Sequence, residues 1–206
     1  RGVTGGQMFS VASFRGWVEF SPGFSPRPQI SHVVFDFDGT LSWLRHGWPE
    51  LMLQVFREQL AAGGGAVDQG FEEALLGDIL GLNGKATIHQ MRRGAERLRE
   101  RGVEPPEPEE LRQDYQRRLD AVIAERTDRI LSGKARREDF VMHGARGLLE
   151  ALAGRGLTLI ILSGTVEHRV KEEAELLDLA RYFGSHIYGG TADVGFQSLS
   201  GAAERG

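Results

Sequence analysis

The chain contains no cysteine, so disulfides and thiolate metal sites are excluded. Lysine is nearly missing too. Of 25 basic residues only Lys85, Lys134 and Lys171 are lysine, and the rest are arginine. No apolar run approaches the roughly 20 residues of a membrane-spanning helix. The first residues, RGVTGGQMFSVASFRGW, lack the apolar stretch of a secretory signal. A net charge of −4 offers no basic surplus for nucleic acid. Together these absences lead us to expect a cytoplasmic protein whose partner is neither nucleic acid nor membrane.

The composition that remains is ordinary for a globular chain, with 40% hydrophobic and 26% charged residues over 206 positions. That length holds one domain with a real core, or a core carrying a smaller insertion. The chain begins with Arg rather than Met, and we expect a fragment or a processed or mispredicted product.

Residues 1–29 are rich in Gly, Ser and Pro and read as an irregular leader. A strand is expected over Ile30–Phe37, where Val33, Val34, Phe35 and Phe37 form a nearly unbroken apolar run. Such a run suits a parallel strand covered on both faces. Helical periodicity follows after Pro49, a first-turn residue, and is broken by AAGGGAVDQG. It resumes over Phe71–Leu80, Lys85–Arg101 and Pro108–Ala124, with dense Arg and Glu marking solvated faces. Beyond Phe140 come a short helix over Ala145–Ala153, a second apolar strand over Leu157–Leu162, a helix over Val166–Leu177 and a third strand near His186–Tyr188. Strands thus flank an all-helical block. The expected organisation is an α/β core over 30–43 and 140–188, a helical insertion over 44–139 and a loosely ordered tail over 189–206.

The chemistry concentrates in FDFDGTLS, residues 35–42. Ligands of open parallel sheets bind beyond the carboxyl ends of strands, where Asp36 and Asp38 are expected to stand one residue apart. Two neighbouring carboxylates are costly unless a cation is present or one is protonated. Mg²⁺ satisfies the first condition, since it binds one or two carboxylates plus substrate phosphates. A proton satisfies the second and makes a general acid. Gly39 lets the backbone turn sharply and face an anion with its N–H groups.

This stretch resembles the first motif of the haloacid dehalogenase-like (HAD) hydrolases, an apolar strand followed by DxDGT. LIILSGT, residues 159–165, resembles their second motif, with Ser163 in the motif position. The resemblance implies a Rossmann-like α/β core of parallel sheet and flanking helices, with a helical cap inserted after the first motif. It also implies the roles of the residues. Asp36 would be the nucleophile and Asp38 the general acid and base. Ser163, Gly164, Gly39 and Thr40 would bind phosphate, and Mg²⁺ would be held by Asp36 and Asp38. The substrate would be a small phosphorylated metabolite, and a sugar-phosphate mutase is a variant of the same chemistry.

Two further motifs of that family, a lysine and a later acidic pair, are not matched. Lys171 comes too soon after Ser163, Asp178 falls at a helix, and Asp193 lies in a Gly-rich stretch. The core is therefore expected to be incomplete at its C-terminal part, and the chain weakly active or inactive. A non-catalytic relative that binds a phosphorylated ligand or a protein is the reading from a different class. A receiver-like signalling domain fits poorly, because its phosphorylated Asp lies on a middle strand.

Other candidates are weaker. Lys85 and His89 are four apart and would share one helix face, either gripping substrate or simply solvated. Gly84-Lys85 is no P-loop, because Ile79 and Ala86 stand where Gly and Ser or Thr are required. Trp43, Arg45, His46 and Trp48 follow the first motif, and one of them is expected to touch substrate, Trp43 being the named candidate. Ser163 also reads as a helix N-cap.

Overall fold

The computed structural model describes residues 23–25 and 29–190. The chain divides into two units, Arg1–Ile30 and Ser31–Gly206. Of the first, only residues 23–25, 29 and 30 are described, in turns and irregular backbone. The expected leader otherwise lies outside the described residues, as does the expected tail beyond Gly190.

The second unit begins with β1, His32–Phe35, which is shorter than the expected strand. Four helices follow, namely α1 (Trp48–Ala62), α2 (Gln69–Gly81), α3 (Thr87–Glu100) and α4 (Pro108–Leu131). A short 3₁₀ turn, Arg137–Phe140, leads to α5 (Ala145–Ala153), β2 (Thr158–Val166), α6 (Glu167–Leu176), a 3₁₀ turn at Ala180–Tyr182 and β3 (Ile187–Gly190). The three strands form one parallel sheet in the order β1-β2-β3. Each parallel link requires a crossover; α6 provides the second, while α1–α5 all lie within the first.

The sheet is covered on one face. Phe35, Leu159, Ile161 and Ile187 are buried in one cluster with Leu149 of α5 and with Val170 and Ala174 of α6. Side chains alternate across a strand, and the opposite face holds Val34, which is 57% exposed, and Tyr188. The expectation of cover on both faces is therefore corrected among the described residues. A continuous apolar run cannot show which side lacks a partner, because both of its parities are apolar.

The four helices pack around a core of their own. Met52, Val55, Phe56 and Leu60 of α1 meet Phe71, Leu75 and Ile79 of α2, Met91, Ala95 and Leu98 of α3, and Leu111, Tyr115 and Leu119 of α4. Gln90 is buried there and donates through Nε2 to the Ile79 carbonyl at 2.9 Å, which satisfies a group that would otherwise be costly. The segments entering and leaving this block are tied together. Trp43 N donates to Phe140 O at 2.8 Å, and Met142 N donates to Leu41 O at 3.0 Å. Between them lies the Ser42–Val141 bridge.

Candidate active site

The chain leaves β1 at Phe35 and turns within four residues. The amides of Thr40, Leu41 and Ser42 all point to the Phe37 carbonyl, at 3.3, 2.9 and 2.9 Å. Gly39 makes this possible with φ of +76°, where a side chain would be strained. Phe37 and Leu41 are fully buried and anchor the turn in the core. Asp36 is left exposed and Asp38 half-buried just beyond the strand end.

The two aspartates have different surroundings. Thr40 Oγ1 donates to Asp36 Oδ2 at 3.2 Å. Surrounding protein lifts the Asp36 carboxyl above the ordinary carboxylate value. The negative charge of Asp38 adds to this, while hydrogen bonds from the Phe37 backbone and Thr40 act in the other direction. Asp38 is gripped at both oxygens. Arg45 Nη1 donates to Oδ1 at 2.5 Å, and Thr165 Oγ1 donates to Oδ2 at 2.7 Å.

β2 is longer than expected and delivers its motif through an irregularity. Leu162 pairs with Tyr188 and Val166 with Gly190, so four steps on β2 match two on β3. Ser163, Gly164 and Thr165 are therefore bulged out of the ladder. Ser163 is buried and its Oγ accepts from Thr165 N at 3.1 Å. Gly164 faces open space. A Cβ on Gly189 would lie 2.4 Å from the Thr165 carbonyl, so only glycine lets β3 come this close.

The site also draws on residues that no motif indicated. Arg45 makes an end-on pair with Glu173 of α6, Nη1 to Oε2 at 2.6 Å and Nη2 to Oε1 at 2.7 Å. Burial works against the charge on Arg45, but Asp38 and Glu173 outweigh it and hold the guanidinium more firmly charged. Burial pushes the Glu173 carboxyl up by more than Arg45 pulls it down, the mark of a costly buried pair. Tyr115 of α4 is near enough to feel the charges of Arg45 and Asp38, and burial raises its hydroxyl pKa. One sequence signal could have found Glu173. It shares the stripe of Val170 and Ala174 on α6 and of Leu177 just past its end, where an acidic residue is out of place.

Several candidates stand apart. Lys85 is not on a helix face with His89. It lies in the turn before α3, while His89 is in the first turn of that helix. Gly84, with φ of +81°, ends the preceding turn and delays the helix to Thr87. Both side chains are exposed and neither touches the aspartates among the described residues. Lys171 is engaged with Glu167 one turn earlier on α6, at 2.5 Å. Trp43 is half-exposed and stacks on His46 with ring centroids 4.3 Å apart. A cavity of about 190 Å³ between α1 and α4, lined by Trp48, Leu119 and Arg126 among others, holds neither aspartate.

A Mg²⁺ ion would have a limited but chemically suitable donor set here. The Asp38 carboxylate already holds Arg45 and Thr165, whereas Asp36 is exposed and pairs with no cation among the described residues, so Asp36 is the carboxylate offered to a hard cation. Among the described residues, no group of three or more His, Cys, Asp or Glu side chains could hold a metal. Substrate oxygens and waters would have to complete the shell.

The family model of the haloacid dehalogenase-like hydrolases matches residues 30–202. The chain belongs to this family. The matched span passes beyond residue 188, where the motif resemblance ends. A search of curated proteins finds no match. Among solved structures, a predicted phosphoglycolate phosphatase from Haemophilus somnus 129pt aligns with TM-score 0.50 and 16% identity. The alignment covers 83% of this chain and 65% of that one. An HAD family hydrolase from Deinococcus radiodurans R1, with bound phosphate and sodium, aligns with TM-score 0.46 and 20% identity, over 78% and 58% of the two chains. A predicted phosphatase from Clostridium acetobutylicum aligns with TM-score 0.49 and 21% identity, over 85% and 70%. The chain thus spans less than two thirds of the length of the first two. The first of these likenesses supports the HAD-like α/β architecture, with its parallel sheet and flanking helices.

Proposed function

We propose that this HAD-like chain is a phosphatase that hydrolyses a small phosphate monoester, with Asp36 as nucleophile and the helices α1–α4 as its cap. The observation that carries the reading is the position of Asp36, exposed beyond the C-terminal end of a parallel strand and beside Asp38. Asp36 attacks phosphorus, and the bond to the leaving oxygen breaks as Asp38 delivers a proton to it. Water then loses a proton to Asp38 and attacks the aspartyl-phosphate, which releases inorganic phosphate and restores Asp36. Each Asp38 oxygen accepts a hydrogen bond in this structure and keeps a second lone pair, where that proton can be carried. The Ser163 hydroxyl and the Gly164 amide bind phosphoryl oxygens, while in this structure the Gly39 and Thr40 amides, expected to do the same, donate within the turn to the Ser42 and Phe37 carbonyls. Mg²⁺ would be held by the Asp36 carboxylate and the Asp38 main-chain carbonyl, and would supply charge neutralisation at the phosphoryl group.

Turnover is expected to be slow, because no lysine reaches the aspartates among the described residues. Hydrolysis of p-nitrophenyl phosphate with Mg²⁺ tests the reading. Measurable turnover in the wild type, falling to background in Asp36→Asn, supports it. Turnover equal in the two proteins sinks it, as does a folded wild type that hydrolyses no phosphate ester.

A further inference from the structure

The cavity between α1 and α4 has no part in the chemistry proposed above. Trp48 and Leu51 of α1, with Leu119 and Val122 of α4, give it an apolar wall around about 190 Å³. An apolar cavity of about 150 Å³ suffices to hold benzene, so there is room here for a single ring with a small substituent. Arg126 of α4 lines the same cavity and is half-buried. Other half-buried arginines, such as Arg45, Arg93, Arg118 and Arg146, pair with carboxylates. Arg126 instead donates through Nη1 to a neutral group, the Leu44 carbonyl, at 2.5 Å. Burial pushes its pKa down, Arg129 adds to the fall, and Glu125 opposes it without reversing it. Arg45 and Arg118 are shifted the other way.

A charge withdrawn from water without a counterion is costly, and an anion entering the cavity relieves that cost. We propose that this cavity binds a small organic carboxylate, with an apolar ring among Trp48, Leu51, Leu119 and Val122 and the carboxylate on Arg126. Guanidinium and carboxylate match as planar, charge-assisted partners. Glu50 also lines the cavity, but it is exposed, and the charges that act on Arg126 are those of Glu125 and Arg129. Holding the Leu44 carbonyl takes one neutral donor and gives no reason for a positive charge in this wall. Neither aspartate lines the cavity, so the site is separate from the candidate active site and stands whether or not the chain hydrolyses phosphate esters.

Heteronuclear NMR titration of the isotope-labelled full chain with benzoate tests this, with benzamide as its neutral counterpart. Benzoate is expected to shift the amide signals of Trp48, Leu51 and Val122 in a saturable way. Benzamide should bind about tenfold or more weakly, the scale of a lost charge-assisted contact. Arg126→Gln should bring benzoate down to the affinity of benzamide. Val122→Phe places a ring in the cavity and should abolish binding of both. Signal dispersion shows whether each variant is folded. Shifts confined to the turn at Asp36–Thr40 overturn the proposal, as does the absence of any saturable shift. Benzamide that binds as tightly as benzoate overturns it too. So does benzoate affinity within about twofold of wild type in folded Arg126→Gln or folded Val122→Phe. If neither variant folds, the comparison of benzoate with benzamide on the wild type decides by itself.

Discussion

Thr165 shows how one hydroxyl acts at the scale of a residue. Its 2.7 Å bond holds Asp38 Oδ2, while Arg45 holds Oδ1. Thr165→Val keeps the shape and removes the donor, and kcat for a phosphate ester is expected to fall about tenfold or more. Hydrogen bonds to charged groups are worth roughly 1.5–3 kcal/mol, and steady-state kinetics will measure the loss. Asp68 gives a prediction of the opposite kind, on stability. It caps α2 by accepting from Phe71 N at 2.8 Å and pairs with Arg101. The Arg101 hydrogen bonds, then that of the Phe71 amide, hold its carboxyl down to about 2, against an ordinary 3.8. A depressed carboxyl stabilises the fold fully above its unfolded value and loses that contribution as pH falls through the folded value. The melting-temperature gap between wild type and Asp68→Asn should therefore be widest at neutral pH and close between about pH 4 and pH 2.

At the scale of elements, the packing of α1 on α3 depends on a missing side chain. A Cβ on Gly94 would lie 2.2 Å from the ring of the buried Phe56. Gly94→Ala is expected to destabilise by about 1–3 kcal/mol, because overpacking outweighs the gain in helix propensity. Urea unfolding will measure it. Most elements were legible from periodicity: α5 lies where the spacing puts it, and α1, α2 and α6 agree within a few residues. Each failure has an identifiable cause. Helix α4 runs on to Leu131 because the Arg and Glu pairs along its surface carry no apolar signal to follow. β2 continues through Ser163–Thr165 because its pairing to β3 resumes at Val166, a long-range fact that no local pattern contains.

At the scale of the whole molecule, two cores share one chain. Leu149 belongs to the cluster under the sheet and Leu75 to the cluster among α1–α4. Each is fully buried, so Leu149→Ala and Leu75→Ala should each cost about 2–5 kcal/mol. Amide hydrogen exchange is expected to speed up mainly around the altered cluster, because sub-global opening follows packed units. Exchange that accelerates equally in both would show that the two cores open together. Contacts join them near the site. Arg169 of α6 pairs with Asp120 of α4 at 2.5 Å, and Arg126 of α4 reaches the Leu44 carbonyl.

Sequence by itself determined the family and the position of the two aspartates, because strand, turn and carboxylates are neighbours in the chain and share one local pattern. Tertiary structure decided what surrounds them. Arg45, Glu173, Thr165 and Tyr115 come together from the linker, α6, β2 and α4, and their meeting depends on how the crossovers return to the sheet. The charge around the paired aspartates is a sum over space. A chain with three lysines could therefore look short of cations while holding a half-buried arginine beside Asp38.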